Sequence, residues 1–139
     1  MLRYLFDTDH LTLYDHAHPI VWRRFSAQPL GIVAISAVTV EESLRGRLAV
    51  LSRHLNGPLQ VQAYARLSDS LQLFQEFPIV AFDVPSEQEY QQLRAQRLRI
   101  GSKDLRIASI ALANALIVVT RNKRDFAQVP GLTLEDWSV

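Results

Sequence analysis

Four short apolar runs constrain this chain most: Leu2 to Phe6, interrupted only by Arg3, and the unbroken Ile32-Val33-Ala34-Ile35, Pro78-Ile79-Val80-Ala81-Phe82 and Leu116-Ile117-Val118-Val119. A strand with one wet face alternates polar and apolar residues, so a continuous run implies burial on both faces. Helical patterns separate the runs; Leu59, Ala63, Leu67, Leu71 and Phe74 recur at the spacing of one helix face. Strands alternating with helices predict an α/β fold, three layers deep (α/β/α), around a central, mostly parallel sheet of four or five strands. In such sheets functional groups gather at the carboxyl ends of the strands. With 139 residues the chain is expected to form a single domain over 1–139.

Local signals place the helices. Asp7 to Tyr14 reads as a short helix, and Pro19 opens another through Phe25 that Pro29 and Gly31 end. Ser36 caps a helix from Ala37 towards Arg53, which Asn56-Gly57-Pro58 interrupts before Leu59 to Phe74. Ser86 with Glu89 reads as a capping box for a helix through about Gln96. After the loop Arg99-Ile100-Gly101-Ser102, Ser102 or Asp104 opens a nearly apolar helix to Asn114. A short turn or helix over Arg124 to Gln128 and a last strand at Leu132-Thr133-Leu134 complete the pattern.

Composition narrows the chemistry. Disorder and coiled coil do not fit 48% apolar and 21% charged residues. Without cysteine there is no disulfide, thiolate nucleophile or sulfur-ligated metal. The longest mostly apolar stretch, Ile107 to Val119, falls short of the roughly 20 residues a membrane span needs. The opening residues lack a charged lead-in, a long apolar region and a cleavage site, so a cytoplasmic protein without membrane contact is expected. Net charge is +1, yet Arg94, Arg97, Arg99, Lys103, Arg106, Arg121, Lys123 and Arg124 share a stretch whose only intervening acid is Asp104. That balance suits an anionic substrate such as nucleic acid; a solvated surface explains it equally well.

The acids fall where the frame predicts a site. Asp7 follows the first strand, Glu42 lies early in the helix after the second, Asp104 starts the helix leading into the fourth, and Asn122 and Asp125 follow that strand. Carboxylates brought together repel and raise one another's pKa, and a hard cation relieves this. Oxygen-only ligands point to Mg²⁺ or Mn²⁺, which activate water and stabilise charge on phosphoryl oxygens. Each acid also has a plain alternative: Asp7 and Asp104 as helix caps, Glu41 or Glu42 as a solvated helix residue, Asp125 as a surface partner of Arg121. The four histidines show no paired metal spacing, and His10, although near Asp7, reads as a packing residue.

In order, these segments resemble the PIN-domain ribonucleases, and within them the VapC toxins of bacterial toxin–antitoxin pairs. Tyr4-Leu5-Phe6-Asp7-Thr8-Asp9 is similar to the family's strand ending in Asp-Ser/Thr. Ser36 to Gly46 is similar to its Ser-x-x-Thr-x-x-Glu-Leu-x-x-Gly segment, and aligning Thr39 and Gly46 selects Glu42 over Glu41. Asp104-Leu105-Arg106-Ile107-Ala108 resembles its Asp-x-x-Ile-Ala helix, and Thr120-Arg121-Asn122-Lys123-Arg124-Asp125-Phe126 its Thr-x-Asn/Asp-x-x-Asp/Glu-Phe segment. Two positions depart: Ser43 replaces the common Leu, and Asn122 stands where many members have Asp, leaving Asp125 as the alternative fourth ligand.

The resemblance implies a metal-dependent endoribonuclease. Asp7, Glu42 and Asp104 would hold Mg²⁺ or Mn²⁺, and Asn122 and Asp125 would complete the catalytic set. Thr8, Lys103, Arg106, Thr120, Arg121 and Lys123 would bind substrate; Thr8 and Thr120 have backbone capping as an equal alternative. It also implies RNA as substrate, with transfer RNA the family-level expectation, a VapB-like antitoxin, and a homodimer. Pro19 to Phe25 and Leu59 to Phe74 are candidate walls for the antitoxin groove. Two competing readings remain: a non-catalytic PIN-like binding module, and a haloacid-dehalogenase-like phosphohydrolase with Asp7 as nucleophile and Asp9 essential.

Overall fold

The computed structural model describes residues 1–139. Five parallel strands, β1 (Tyr4–Phe6), β2 (Val33–Ser36), β3 (Ile79–Val80), β4 (Ile117–Val119) and β5 (Leu134–Glu135), lie in the order β3-β2-β1-β4-β5. The helices are α1 (Thr8–Asp15), α2 (Pro19–Ser26), α3 (Ala37–Arg53), α4 (Gly57–Phe74), α5 (Val84–Ala95), α6 (Ser102–Asn114) and α7 (Lys123–Phe126). The expected α/β sheet is therefore present, wholly parallel and five-stranded. No helix is long and apolar enough to cross a membrane.

Side chains alternate across the central strands and define the layers. Leu5, Ala34 and Val118 point to one face, where Tyr90 and Leu93 of α5 and Leu105, Ile107, Ala108 and Ala111 of α6 cover them. Tyr4, Phe6, Val33, Ile35 and Val119 point to the other, under Leu11, Val21, Phe74 and Trp137. Phe6 is the hub of that second core: Trp137 meets it edge-on at 5.5 Å, and Tyr14, Phe25 and Phe77 stack obliquely around it. Tyr14 and Phe25 pack in this cluster, whereas Trp22 is half exposed.

Two local expectations are corrected. The third apolar run is strand only at Ile79–Val80, because it forms the sheet edge; Phe82 leaves the sheet and packs against the Tyr90 ring at 6.1 Å. Helix α5 is capped by Asp83, not by Ser86. Asp83 Oδ1 accepts both the backbone N–H and the hydroxyl of Ser86, which holds its carboxyl below the usual range. Ser86 sits three residues inside, where a cap's bonding partner belongs.

The order reverses at β1: the chain steps from β1 to β2 and β3 on one side, then returns to β4 and β5 on the other. That switch point opens a crevice at the carboxyl end of β1, where Asp7 follows Phe6. Leu5 is fully buried in the middle of this strand. Leu5→Ala is expected to cost about 2–5 kcal/mol, read as a lowered urea midpoint at unchanged slope.

Candidate active site

At that crevice lies an open cleft of ≈ 440 Å³ lined by Asp7, Thr8, Asp9, Glu42, Asp104, Arg121 and Asn122, with no apolar residue among them. Four separate elements supply the lining: the β1–α1 junction, α3, α6 and the turn after β4.

Asp7 is both the α1 cap and part of the cleft. Its Oδ1 accepts the His10 backbone N–H at 2.8 Å, so one carboxylate oxygen satisfies the helix end. Little of Asp7 reaches solvent (4% exposed). Glu42 is held differently. The Thr8 hydroxyl donates to Glu42 Oε1 at 2.7 Å; Thr8 Oγ1 lies 3.1 Å from Thr39 Oγ1, and the Ser36 hydroxyl donates to Thr39 at 3.4 Å. With one proton per hydroxyl, the consistent order runs Ser36 to Thr39 to Thr8 to Glu42. Thr39 was not identified as a functional candidate from the sequence. The signal was the three-residue step 36, 39, 42, which stacks these side chains on one helical face.

Glu41 points elsewhere. It is paired with Lys103 and with Arg45, whose Nε lies 2.7 Å away, and these partners hold its carboxyl below the usual range. The structure thus brings Glu42, and not Glu41, into the cleft.

Asp104 lies in the first turn of α6, which is capped at Gly101 without help from the Asp104 side chain. Burial, then the charges of Asp7 and Glu42, push its pKa up to about 6, against a partial offset by the Asn122 amide. That amide donates to Asp125 Oδ2 at 3.0 Å and faces Asp104 Oδ2 at 3.5 Å. Asn122 therefore lines the cleft, and Asp125 stands behind it.

The basic candidates separate. Arg121 reaches the rim, bound by two 2.8 Å hydrogen bonds to Asp9, not to Asp125. Lys103 is occupied by Glu41. Arg106 stacks over the Tyr90 ring at 4.4 Å, and Lys123 is exposed at the start of α7. Thr120 is buried, and its hydroxyl accepts the Asn122 backbone N–H at 2.8 Å. Of the eight basic residues close in sequence, Lys103, Arg106 and Arg121 are thus engaged by pairing or stacking.

Asp7, Asp9 and His10 also bring ligand-type atoms within 4.8 Å of one another. They do so as neighbours in one helical turn; Asp9 is committed to Arg121 and the His10 ring is buried in the core. The cleft-facing acids Asp7, Glu42 and Asp104 fit a hard cation better, since they line one polar cleft, their donors are all oxygen, and burial and then the charges of Asp7 and Glu42 raise the Asp104 pKa.

The PIN domain family model matches residues 4–132, and the chain belongs to that family. Within it the similarity is to VapC proteins. The chain is 30% identical to the tRNA(fMet)-specific endonuclease VapC of Shigella flexneri, over 99% of this chain and 100% of that protein. It is 26% identical to the Salmonella typhimurium protein of the same name, over 99% of each. Among solved structures, DNA-bound VapBC from Salmonella typhimurium superposes with a TM-score of 0.79 at 25% identity over 99% of both chains. FitAcB from Neisseria gonorrhoeae gives 0.72 at 29% identity over 98% of this chain and 99% of that one. Family membership displaces the dehalogenase-like reading, in which Asp9 would have been free to act.

The raised Asp104 pKa has a stability consequence. The folded chain binds this proton more tightly than the unfolded chain, so the metal-free protein loses stability as pH rises from near 3.8 through about 6. Asp104→Asn keeps an acceptor for Asn122 and removes the charge. It is expected to raise the melting temperature at pH 7.5 by a few degrees, corresponding to ~1–2 kcal/mol after solvent screening, and to leave it unchanged near pH 3.5.

Proposed function

We propose that this protein is the ribonuclease toxin of a VapBC-type toxin–antitoxin pair, a metal-dependent endoribonuclease that hydrolyses RNA phosphodiester bonds. The observation that carries the reading is the convergence of Asp7, Glu42 and Asp104 on one polar cleft, with the Asp104 carboxyl raised to about 6 by burial and by the other two. These three residues would hold Mg²⁺ or Mn²⁺. When bound, the ion supplies a water of lowered pKa and stabilises charge on the phosphoryl oxygen.

The chain's own groups divide the remaining work. Thr8 aims Glu42, and the Asn122 amide, backed by Asp125, holds the Asp104 carboxylate. A neutral Asn122 beside three carboxylates supports one directly held cation. Arg121 binds a substrate phosphate at the rim, where its fork exchanges Asp9 for the phosphate oxygens. Lys123, with Lys103 and Arg106 farther out, extends the track. Such contacts give affinity without sequence information. The buried Thr120 serves substrate only through Asn122, whose backbone it holds.

The names of the VapC relatives favour transfer RNA as the substrate class. The solved VapBC complex favours a VapB-like antitoxin as partner; α2 and α4 are the groove walls, and a homodimer the toxin unit, that the family resemblance implies. The reading places the protein in the cytoplasm, where transfer RNA is found.

Purified protein freed of antitoxin is expected to cut a cellular RNA pool into discrete products with Mg²⁺ or Mn²⁺ and not in EDTA. Asp7→Asn, Glu42→Gln and Asp104→Asn are expected to lose at least about 100-fold in rate, while Glu41→Gln stays within about threefold. No cleavage with any metal, with RNA binding intact in these variants, would identify a non-catalytic binding module instead.

A further inference from the structure

The His10 ring is fully buried, and its two nitrogens have unequal surroundings. The Trp137 backbone N–H donates to Nε2 at 3.3 Å, across 127 residues of sequence. A ring nitrogen that accepts an N–H carries no proton, so the neutral imidazole holds its proton on Nδ1. Nδ1 has no hydrogen-bond partner, although a buried donor left alone costs free energy. Asp7 Oδ1 lies 3.6 Å away. The same Oδ1 accepts the His10 backbone N–H at 2.8 Å. On the far side, Asp136 Oδ1 is 3.7 Å from Nε2, but the backbone N–H and hydroxyl of Ser138 already occupy it.

We propose that His10 is a positioning residue for Asp7: its Nδ1–H, fixed in that tautomer by the Trp137 N–H, faces Asp7 Oδ1 across 3.6 Å, draws it by charge–dipole attraction without a formed hydrogen bond, and leaves Oδ2 to the cleft. The ring acts through Asp7 and is not itself a ligand, since one nitrogen carries a proton and the other accepts one. Residues 136–138 thereby set the orientation of a carboxylate at the other end of the sequence. The inference rests on the reading of Asp7 as a cation ligand.

Two measurements test it. Long-range proton–nitrogen correlation spectra of the metal-free wild type are expected to show His10 protonated at Nδ1; protonation at Nε2 alone overturns the proposal. Calorimetric titration with Mn²⁺ then compares wild type, His10→Asn and His10→Gln, at a temperature where circular dichroism shows each folded. Asn places its amide near the Nδ1 position, and Gln near Nε2. His10→Gln is expected to weaken Mn²⁺ binding 10–100-fold and to lower kcat for RNA cleavage at unchanged KM, whereas His10→Asn stays within about threefold of wild type. Equal loss of thermal stability in both variants, with Mn²⁺ affinity unchanged, would reduce His10 to packing. If neither variant folds, the wild-type tautomer decides. A wild type that binds no Mn²⁺ removes the cation site itself, and the tautomer still decides whether a ring N–H faces Asp7.

Discussion

Repulsion among Asp7, Glu42 and Asp104 organises everything at the carboxyl end of β1. Two of the three are held by donors: Asp7 by the His10 backbone N–H in the first turn of α1, where the helix end also favours negative charge, and Glu42 by the Thr8 hydroxyl. Asp104 is half-buried beside them, and its pKa is raised first by that burial and then by the charges of Asp7 and Glu42. The cations that could have neutralised the cluster are engaged elsewhere, Lys103 on Glu41 and Arg121 on Asp9. The cleft therefore stays acidic, which suits a hard cation inside, and Arg121 at its edge meets a phosphate only by leaving Asp9.

The sheet explains why these acids meet at all. They are far apart in the chain, and only the reversal of strand order at β1 brings the start of α1, the first turns of α3 and α6, and the turn after β4 to one crevice. Asn122 then moderates the arrangement. An aspartate there would add a fourth charge beside Asp104; the amide instead donates to both flanking carboxylates.

The strands and the long helices were legible in the sequence because burial on both faces leaves an unbroken apolar run, and α3 begins and ends where Ser36 and Arg53 signal. So was the choice of Glu42 over Glu41 for the cleft, through the resemblance to the family's segment aligned on Thr39 and Gly46. Features that depend on tertiary neighbours were not legible. The run at Pro78 to Phe82 looked like a full strand, and only its edge position shortens it. The basic stretch looked continuous, but Glu41, Tyr90 and Asp9, contributed by three other helices, break it up. His10 read as a packing residue, which its burial supports; nothing local announced that its far nitrogen would meet the backbone of Trp137.

The register of β1 has a kinetic consequence. Tyr4 pairs with Val33 on one side and Ile117 on the other, so the middle of the sheet closes only when very distant parts of the chain are present together. Such non-local pairing must wait on loop closure before it is rewarded, and it is slow. A chain that has formed only the α5–α6 pair already carries Asp104, but nothing yet holds Asp7 beside it. Under the proposed function, the cleft needs Asp7, Glu42 and Asp104 together, and so it is complete only once the sheet has closed.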